Sequence, residues 1–87
     1  LNQPLLDIFA NVQLHATLTT FLPPGSHEGT ATLDVDDGVT VGSVAMRLGI
    51  PPTLSRIALV NGHDTADDTR LQDGDVVDFF PPLAGGA

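Results

Sequence analysis

Two segments in the first half of the chain alternate between apolar and polar residues. The alternation runs through residues 12–19 and again through residues 31–36. Since successive side chains of a strand point to opposite faces, each segment is expected to be a half-buried strand. The expected inward residues are Val12, Leu14, Ala16, Leu18, Ala31, Leu33 and Val35. Residues 22–29, rich in proline and glycine, are predicted to form the loop between them.

The apolar spacing changes to that of a helix after the turn pair Asp37-Gly38. Four residues then repeat at i, i+3, i+4 and i+7: Val41, Val44, Ala45 and Leu48. They form one apolar stripe, which is typical of a helix that packs on a core. Thr40 is the predicted N-cap, because its hydroxyl can accept a free amide of the first turn. Gly49 suits the left-handed residue that ends a helix.

Two further strands are predicted in the second half, over residues 56–60 and 75–80, with residues 63–70 as a loop between them. In the first of them we expect Ile57 and Leu59 to face inward. In the second, the polar Asp78 places Phe80 on the solvent side, and Val77 and Phe79 on the core side.

The predicted order is therefore two strands, one helix and two strands. A single amphipathic helix can bury its stripe only by covering one face of a mixed sheet, which predicts an α+β fold. The domain is expected over residues 12–82. Residues 1–11 form an N-terminal extension with a helical turn starting at Pro4. We expect residues 83–87 to form a flexible tail, because they have little side chain to pack.

Charge and composition narrow the possible partners. The net charge is −8, from 11 acidic residues against three arginines, and there is no lysine. Such a chain repels phosphate backbones and attracts a basic partner surface, so nucleic acid is not an expected partner. The absence of cysteine excludes disulfides, thiolate zinc sites and a thiol nucleophile. No apolar run approaches the roughly 18 residues of a membrane span, so no membrane association is expected.

Metal binding is not expected either. Asp34, Asp36 and Asp37 lack the spacing and the final glutamate of a calcium loop, and they fit an exposed strand face followed by a turn. The loop carrying Asp64, Asp67 and Asp68 has no such pattern. The three histidines, His15, His27 and His63, stand far apart in the sequence without a ligand motif.

The end of the chain carries the strongest motif. The last strand ends in Phe79-Phe80, Pro81-Pro82 follows, and after Leu83-Ala84 comes Gly85-Gly86. With the helix of residues 40–50 and the strand of residues 57–62, this ending resembles the MoaD/ThiS sulfur-carrier family. The likeness covers about residues 12 to 86. The paired prolines favour the MoaD branch, the small subunit of molybdopterin synthase.

The resemblance implies a ubiquitin-like β-grasp fold, with a mixed four- to five-stranded sheet covered on one face by one main helix. It implies a cytoplasmic carrier without catalytic residues or a bound cofactor. An E1-like enzyme would use ATP to adenylate the terminal glycine, and sulfur would replace the adenylate as a thiocarboxylate. The large subunit of molybdopterin synthase would then receive the tail, and the sulfur would enter a molybdopterin or tungstopterin cofactor.

The sulfur-carrying tail is assigned to Gly85 and Gly86. Glycine has no Cβ, so such a tail can pass a narrow channel in almost any backbone conformation. Family members usually end at the second glycine, whereas Ala87 follows here. We expect a protease to remove Ala87; tolerance of alanine by the partner enzymes, or loss of sulfur chemistry, are the alternatives.

A partner interface is expected beside the tail. With Ile57 and Leu59 inward, Ala58 and Val60 would form an exposed apolar patch with Phe80. The residues that continue this surface toward the tail are Pro81, Pro82 and Leu83. Two other functions stay open: a ubiquitin-like modifier attached to target proteins through its tail, and a β-grasp interaction module with an inert tail. Without lysine, a modifier of this sequence cannot extend itself by isopeptide bonds.

Overall fold

The structure is a computed structural model, and it describes residues 7–82. These residues form five strands, one α-helix and one 3₁₀ helix, which confirms the predicted α+β class and mixed sheet. In chain order the elements are β1 (Asp7–Leu14), the 3₁₀ helix (Ala16–Phe21), β2 (Thr30–Asp36), α1 (Val41–Arg47), β3 (Ile57–Val60), β4 (His63–Asp64) and β5 (Val76–Phe80).

The sheet has the strand order β2-β1-β5-β3-β4. The two strands farthest apart in sequence, β1 and β5, pair in parallel near its centre, and the other pairs are antiparallel. Leu14, the last residue of β1, and His15 after it bond to opposite neighbours. Leu14 donates its N–H to the carbonyl of Gly29 beside β2 (3.0 Å), whereas His15 donates to the carbonyl of Phe79 in β5 (3.2 Å).

The sheet begins earlier than the alternation of residues 12–19 predicts. Residues 7–11 belong to β1, so the helical turn predicted from Pro4 does not extend into residues 7–10; residues 1–6 lie outside the described part of the chain. Ile8, Ala10, Val12 and Leu14 share one buried face of this strand, and Phe9 points outward. β1 ends at Leu14 because Ala16, two residues later, adopts a left-handed φ of 54° and starts the 3₁₀ helix. Leu18 is nevertheless buried there.

The helix and its two ends are as the sequence predicts. The Thr40 side chain caps α1 by accepting the N–H of Ser43 at 3.2 Å. Gly49 follows the helix with a left-handed φ of 89°. The stripe residues Val41, Val44 and Ala45 are fully buried.

The core lies between α1 and one face of the sheet. Besides the helix stripe, it contains the inward residues of the strands: Ile8, Ala10, Val12, Leu14, Val35, Ala58, Val77 and Phe79. We call the opposite face of the sheet the outer face. Within residues 7–82, no helix is both long enough and apolar enough to cross a bilayer.

Candidate functional site

The strand that leads to the tail lies inside the sheet. β5 pairs with β1 on one side and with β3 on the other, and it ends at Phe80. Pro81 is half-buried and Pro82 is exposed. Because proline has no N–H to donate, the two prolines cannot continue the ladder between the flanking strands. The chain therefore leaves the sheet here. The predicted tail residues Leu83, Gly85, Gly86 and Ala87 lie outside the described residues.

The two faces of β5 are as predicted from its sequence. Val77 and Phe79 are fully buried against the core, and Asp78 and Phe80 lie on the outer face. Phe80 is half-buried rather than fully exposed. It is thus partly covered by neighbours on the outer face.

The orientation predicted for β3 is wrong. Ala58 pairs with Phe79 and is only 4% exposed, and Val60 pairs with Val77 and packs on the core. The side chains of both residues therefore face the core and do not form an outer patch. The physical reason is the volume of Phe79: its ring occupies the core side, and a small side chain fits opposite it.

Ile57 takes the place that the sequence analysis assigned to Ala58. It pairs with Phe80 and is 41% exposed on the outer face. The next outward residue of β3, Leu59, is half-buried and pairs with Asp78 on one side and Asp64 on the other. The apolar surface beside the strand exit therefore exists, but its members from β3 are Ile57 and Leu59.

His15 is the site residue that the sequence analysis did not identify. Its ring stacks on the ring of Phe80, with centroids 4.1 Å apart and planes 6° from parallel. Its Nε2 lies 2.9 Å from Oδ1 of Asp78. Such a ring contact stabilises by about 0.5–1.5 kcal/mol beyond the buried area. The only signal in the sequence was that His15 continues the series of outward positions formed by Asn11 and Gln13. Its contact with Phe80 depends on the parallel pairing of β1 with β5, which the sequence does not display.

We call the surface formed by His15, Ile57, Leu59 and Phe80 the exit patch. It joins β1, β5 and β3 on the outer face, directly before Pro81. Aromatic and aliphatic side chains at a strand end, with a carboxylate from Asp78 among them, are typical of a protein interface more than of a small-molecule pocket.

Two of the three arginines, Arg56 and Arg47, make contacts on the helix side of the sheet. Arg56 has a side chain only 9% exposed, and its Nη2 lies 2.7 Å from Oδ2 of Asp67. Its guanidinium carbon lies 5.9 Å from the ring centre of Phe79, a cation–π contact. Arg47 donates to the backbone carbonyl of Asp34 at 2.6 Å. These contacts leave the acidic excess of the chain to dominate the surface that an approaching partner meets.

A polar cleft of about 680 Å³ opens beside the exit patch, where His15 and His27 both line its wall. The His27 side chain is 87% exposed, and its Nε2 lies 3.6 Å from the exposed Glu28 carboxylate. Across residues 7–82, no three histidine, aspartate or glutamate side chains come together in a geometry that could hold a metal ion. Asp34 and Asp36 lie exposed on β2, and Asp67 pairs with Arg56.

Comparison with known proteins gives a family and a set of structural relatives. The sequence profile of the ThiS family matches residues 12–86. No curated protein matches the chain. The Haloferax volcanii HVO 2177 protein superposes with a TM-score of 0.73 at 29% identity, over 92% of this chain and 88% of its own. Small archaeal modifier protein 1 of H. volcanii superposes with a TM-score of 0.69 at 27% identity, over 87% and 99%.

A third relative was solved with a partner. It comes from the complex of subunits 1 and 2 of the molybdopterin-converting factor of Helicobacter pylori, with a TM-score of 0.55, 19% identity and coverage of 91% and 100%. At this identity the likeness concerns the fold. With the described topology, these relatives confirm the ubiquitin-like β-grasp fold expected from the sequence.

Proposed function

Because the chain belongs to the ThiS family, we propose that it is a sulfur carrier whose Gly86 carboxylate is adenylated and converted to a thiocarboxylate. The observation that carries this proposal is the extent of the family match, which runs from residue 12 through Gly86. The geometry supports the same use, since β5 delivers the chain from the middle of the sheet to Pro81 and onward to the glycines.

The chemistry requires activation by a second protein. A carboxylate is a poor acyl donor, so one of its oxygens first attacks the α-phosphate of ATP and pyrophosphate leaves. A sulfur nucleophile then attacks the carbonyl carbon of the acyl adenylate, and AMP leaves with the former carboxylate oxygen. An E1-like enzyme would hold ATP and perform both steps. In this proposal the carrier is a co-substrate, and it contributes the tail and a docking surface.

The exit patch is the proposed docking surface for these partners. It places Phe80 and Ile57 directly before the prolines that lead to the tail, so a partner that covers both would receive the glycines in its own active site. Pro81, Pro82 and Leu83 remain in the proposal as the path from patch to tail. Ala58 and Val60 do not, because both face the core.

We place the carrier in molybdopterin or tungstopterin synthesis, with the large subunit of molybdopterin synthase as the sulfur-accepting partner. The relative from H. pylori, which was solved as a complex of subunits 1 and 2 of a molybdopterin-converting factor, supports this choice. The prolines at positions 81 and 82 support it too. A protease that removes Ala87 completes the proposal, because the reactive carboxylate then belongs to Gly86.

Intact mass spectrometry tests the carrier function. Two forms of the protein, one ending at Gly86 and one at Ala87, are incubated with the cognate E1-like enzyme, ATP and hydrosulfide. We expect the Gly86 form alone to gain the mass of one sulfur in exchange for one oxygen, and only when ATP is present. An unchanged mass of the Gly86 form would contradict the proposal. Equal conversion of both forms would contradict the need for trimming.

A second candidate function is that of a ubiquitin-like modifier, joined to lysines of other proteins through Gly86. The 27% identity to small archaeal modifier protein 1 favours it. Both functions begin with the same adenylate, so they differ in the nucleophile that follows. Adding extract proteins to the reaction separates them: covalent adducts of the Gly86 form support modification, and a thiocarboxylate without adducts supports the carrier. Neither product, with the fold intact, would leave an interaction module with an inert tail.

A further inference from the structure

One lateral edge of the sheet presents backbone groups to the outside. β2 is an edge strand of seven residues, bonded to β1 on one side only. The other edge strand, β4, has two residues and offers little to pair with. An open edge strand of this length is a template for a further strand unless its polar groups are occupied.

The hydrogen-bond pattern identifies which groups of β2 point outward. In an antiparallel pair, bonded and non-bonded residue pairs alternate. Since Leu14 bonds to Gly29, the residues of β2 that bond to β1 are Ala31, Leu33 and Val35. Thr30, Thr32, Asp34 and Asp36 therefore direct their N–H and C=O groups away from β1. The bond from Arg47 to the carbonyl of Asp34 independently confirms this phase.

Four of these eight outward groups are already in use, and the middle of the edge is open. Thr30 exchanges two backbone bonds with His27, and the carbonyl of Asp36 accepts the N–H of Val39. Arg47 covers the carbonyl of Asp34. In the part of the chain that the structure describes, this leaves the N–H and C=O of Thr32 and the N–H of Asp34 directed outward at the centre of β2.

The side chains at this edge determine which charge a strand that pairs with β2 should carry. Thr32, Asp34 and Asp36 are exposed on the outer face of β2. Opposite charges across a strand pair stabilise it, and like charges directly opposite destabilise it. β2 has no basic side chain, so the β2 strand of a second copy could not neutralise the carboxylates of Asp34 and Asp36. A strand with lysine or arginine at alternate positions would instead neutralise both carboxylates.

We propose that the β2 edge binds an extended, basic segment of a partner protein by β-strand addition, centred on Thr32. The backbone of the segment bonds to the open groups of Thr32 and Asp34, and its alternate basic side chains lie beside Asp34 and Asp36. This second surface is separate from the exit patch. β1 and β5 lie between β2 and β3, so roughly 14 Å separates β2 from the exit-patch residues of β3 at the usual strand spacing, and the nearest member of the patch is His15 at the end of β1. One carrier can therefore hold a tail partner and an edge partner together.

A synthetic peptide tests the edge by NMR titration of the folded protein. The probe is an acetylated and amidated hexapeptide that alternates lysine and valine. Its matched control carries N-methyl groups on the two central, adjacent residues, which keeps the charge and blocks hydrogen bonding along both edges of the peptide. We expect the probe to shift the amide signals of Thr32 and Asp34 and to slow exchange of the Thr32 amide, and the methylated control to bind at least fivefold more weakly.

Two sets of variants locate the site on the protein. Thr32→Pro removes the outward N–H at a position where an edge strand tolerates proline, and Thr32→Val keeps that N–H. We expect Thr32→Pro to weaken the probe about fivefold or more and Thr32→Val to leave its affinity unchanged. Replacing Asp34 and Asp36 by asparagine should weaken it by about two- to fivefold per site at low salt.

The comparison with the methylated peptide uses the unaltered protein, so it stands even if Thr32→Pro fails to fold. Equal binding of the two peptides would show that only the net charge of the protein attracts them, without backbone pairing, and would overturn the proposal. Shifts confined to the exit patch would also overturn it. Light scattering that shows a dimer dissociating when the peptide is added would identify a second copy as the occupant and refute the choice of a basic partner.

Discussion

Replacing Ala58 by leucine tests the orientation of β3, on which the composition of the exit patch depends. Ala58 is 4% exposed and lies opposite the fully buried Phe79. The added isopropyl group would press on the buried ring of Phe79, and overpacking of this kind costs about 1–3 kcal/mol. A small domain has about 5–15 kcal/mol of stability in total, so this loss is a measurable share of it.

The matched control is Ile57→Thr, on the outward side of the same strand. Ile57 is 41% exposed, and threonine keeps the β-branched shape, so the expected cost is below about 1 kcal/mol. Urea unfolding measures the free energy of unfolding of both variants, provided that the slope m is unchanged, and thermal unfolding measures their Tm. We expect Ala58→Leu to lower Tm by roughly 4–8 °C for each kcal/mol lost. A stable Ala58→Leu together with a strongly destabilised Ile57→Thr would refute the assigned orientation and return Ala58 to the outer face.

Three further predictions concern the helix, the arginine beneath the sheet and the exit patch. Thr40→Ala should destabilise the domain by about 0.5–2 kcal/mol in urea unfolding through loss of the cap, and Thr40→Ser should restore most of it. Asp67→Ala should destabilise the domain by about 1–3 kcal/mol because it leaves the buried guanidinium of Arg56 unpaired. Arg56→Met removes that charge, so its loss of unfolding free energy should be smaller. A larger loss for Arg56→Met than for Asp67→Ala would contradict a buried pair. Phe80→Ala should weaken binding to the E1-like enzyme in calorimetry by tenfold or more with the fold retained, and unchanged affinity would exclude the exit patch as the docking surface.

The elements that the sequence predicts well are those whose signals are local. The helix is specified by the stripe of residues 41–48, by the cap at Thr40 and by Gly49, and each of these acts within a few residues. From Ala31 to Asp36, β2 likewise alternates between buried or half-buried inner positions and exposed outer positions. Physical interactions between sequence neighbours are sufficient for both elements, so their position and their buried faces follow from the pattern.

The orientation of β3 and the contact of His15 depend on long-range pairing instead. All four residues of β3 are apolar, so no alternation identifies the inward face. The orientation of β3 is set by Phe79, about twenty positions later in the chain, because its ring occupies the core side opposite Ala58. His15 meets Phe80 only because β1 and β5 pair in parallel. At the start of β1, Phe9 is an exposed aromatic within an apolar run, which obscured the strand there.

The central position of β5 also sets an order of events during synthesis. Without residues 76–80, the remaining strands form two separate pairs, β2 with β1 and β3 with β4. Pairing of β1 with β5 joins segments more than sixty residues apart, so it is a late, non-local step of folding. The glycines follow β5 by only a few residues. A nascent chain therefore exposes its C-terminal glycines only at about the time its sheet can close, and a chain truncated before β5 lacks both the closed sheet and the glycines.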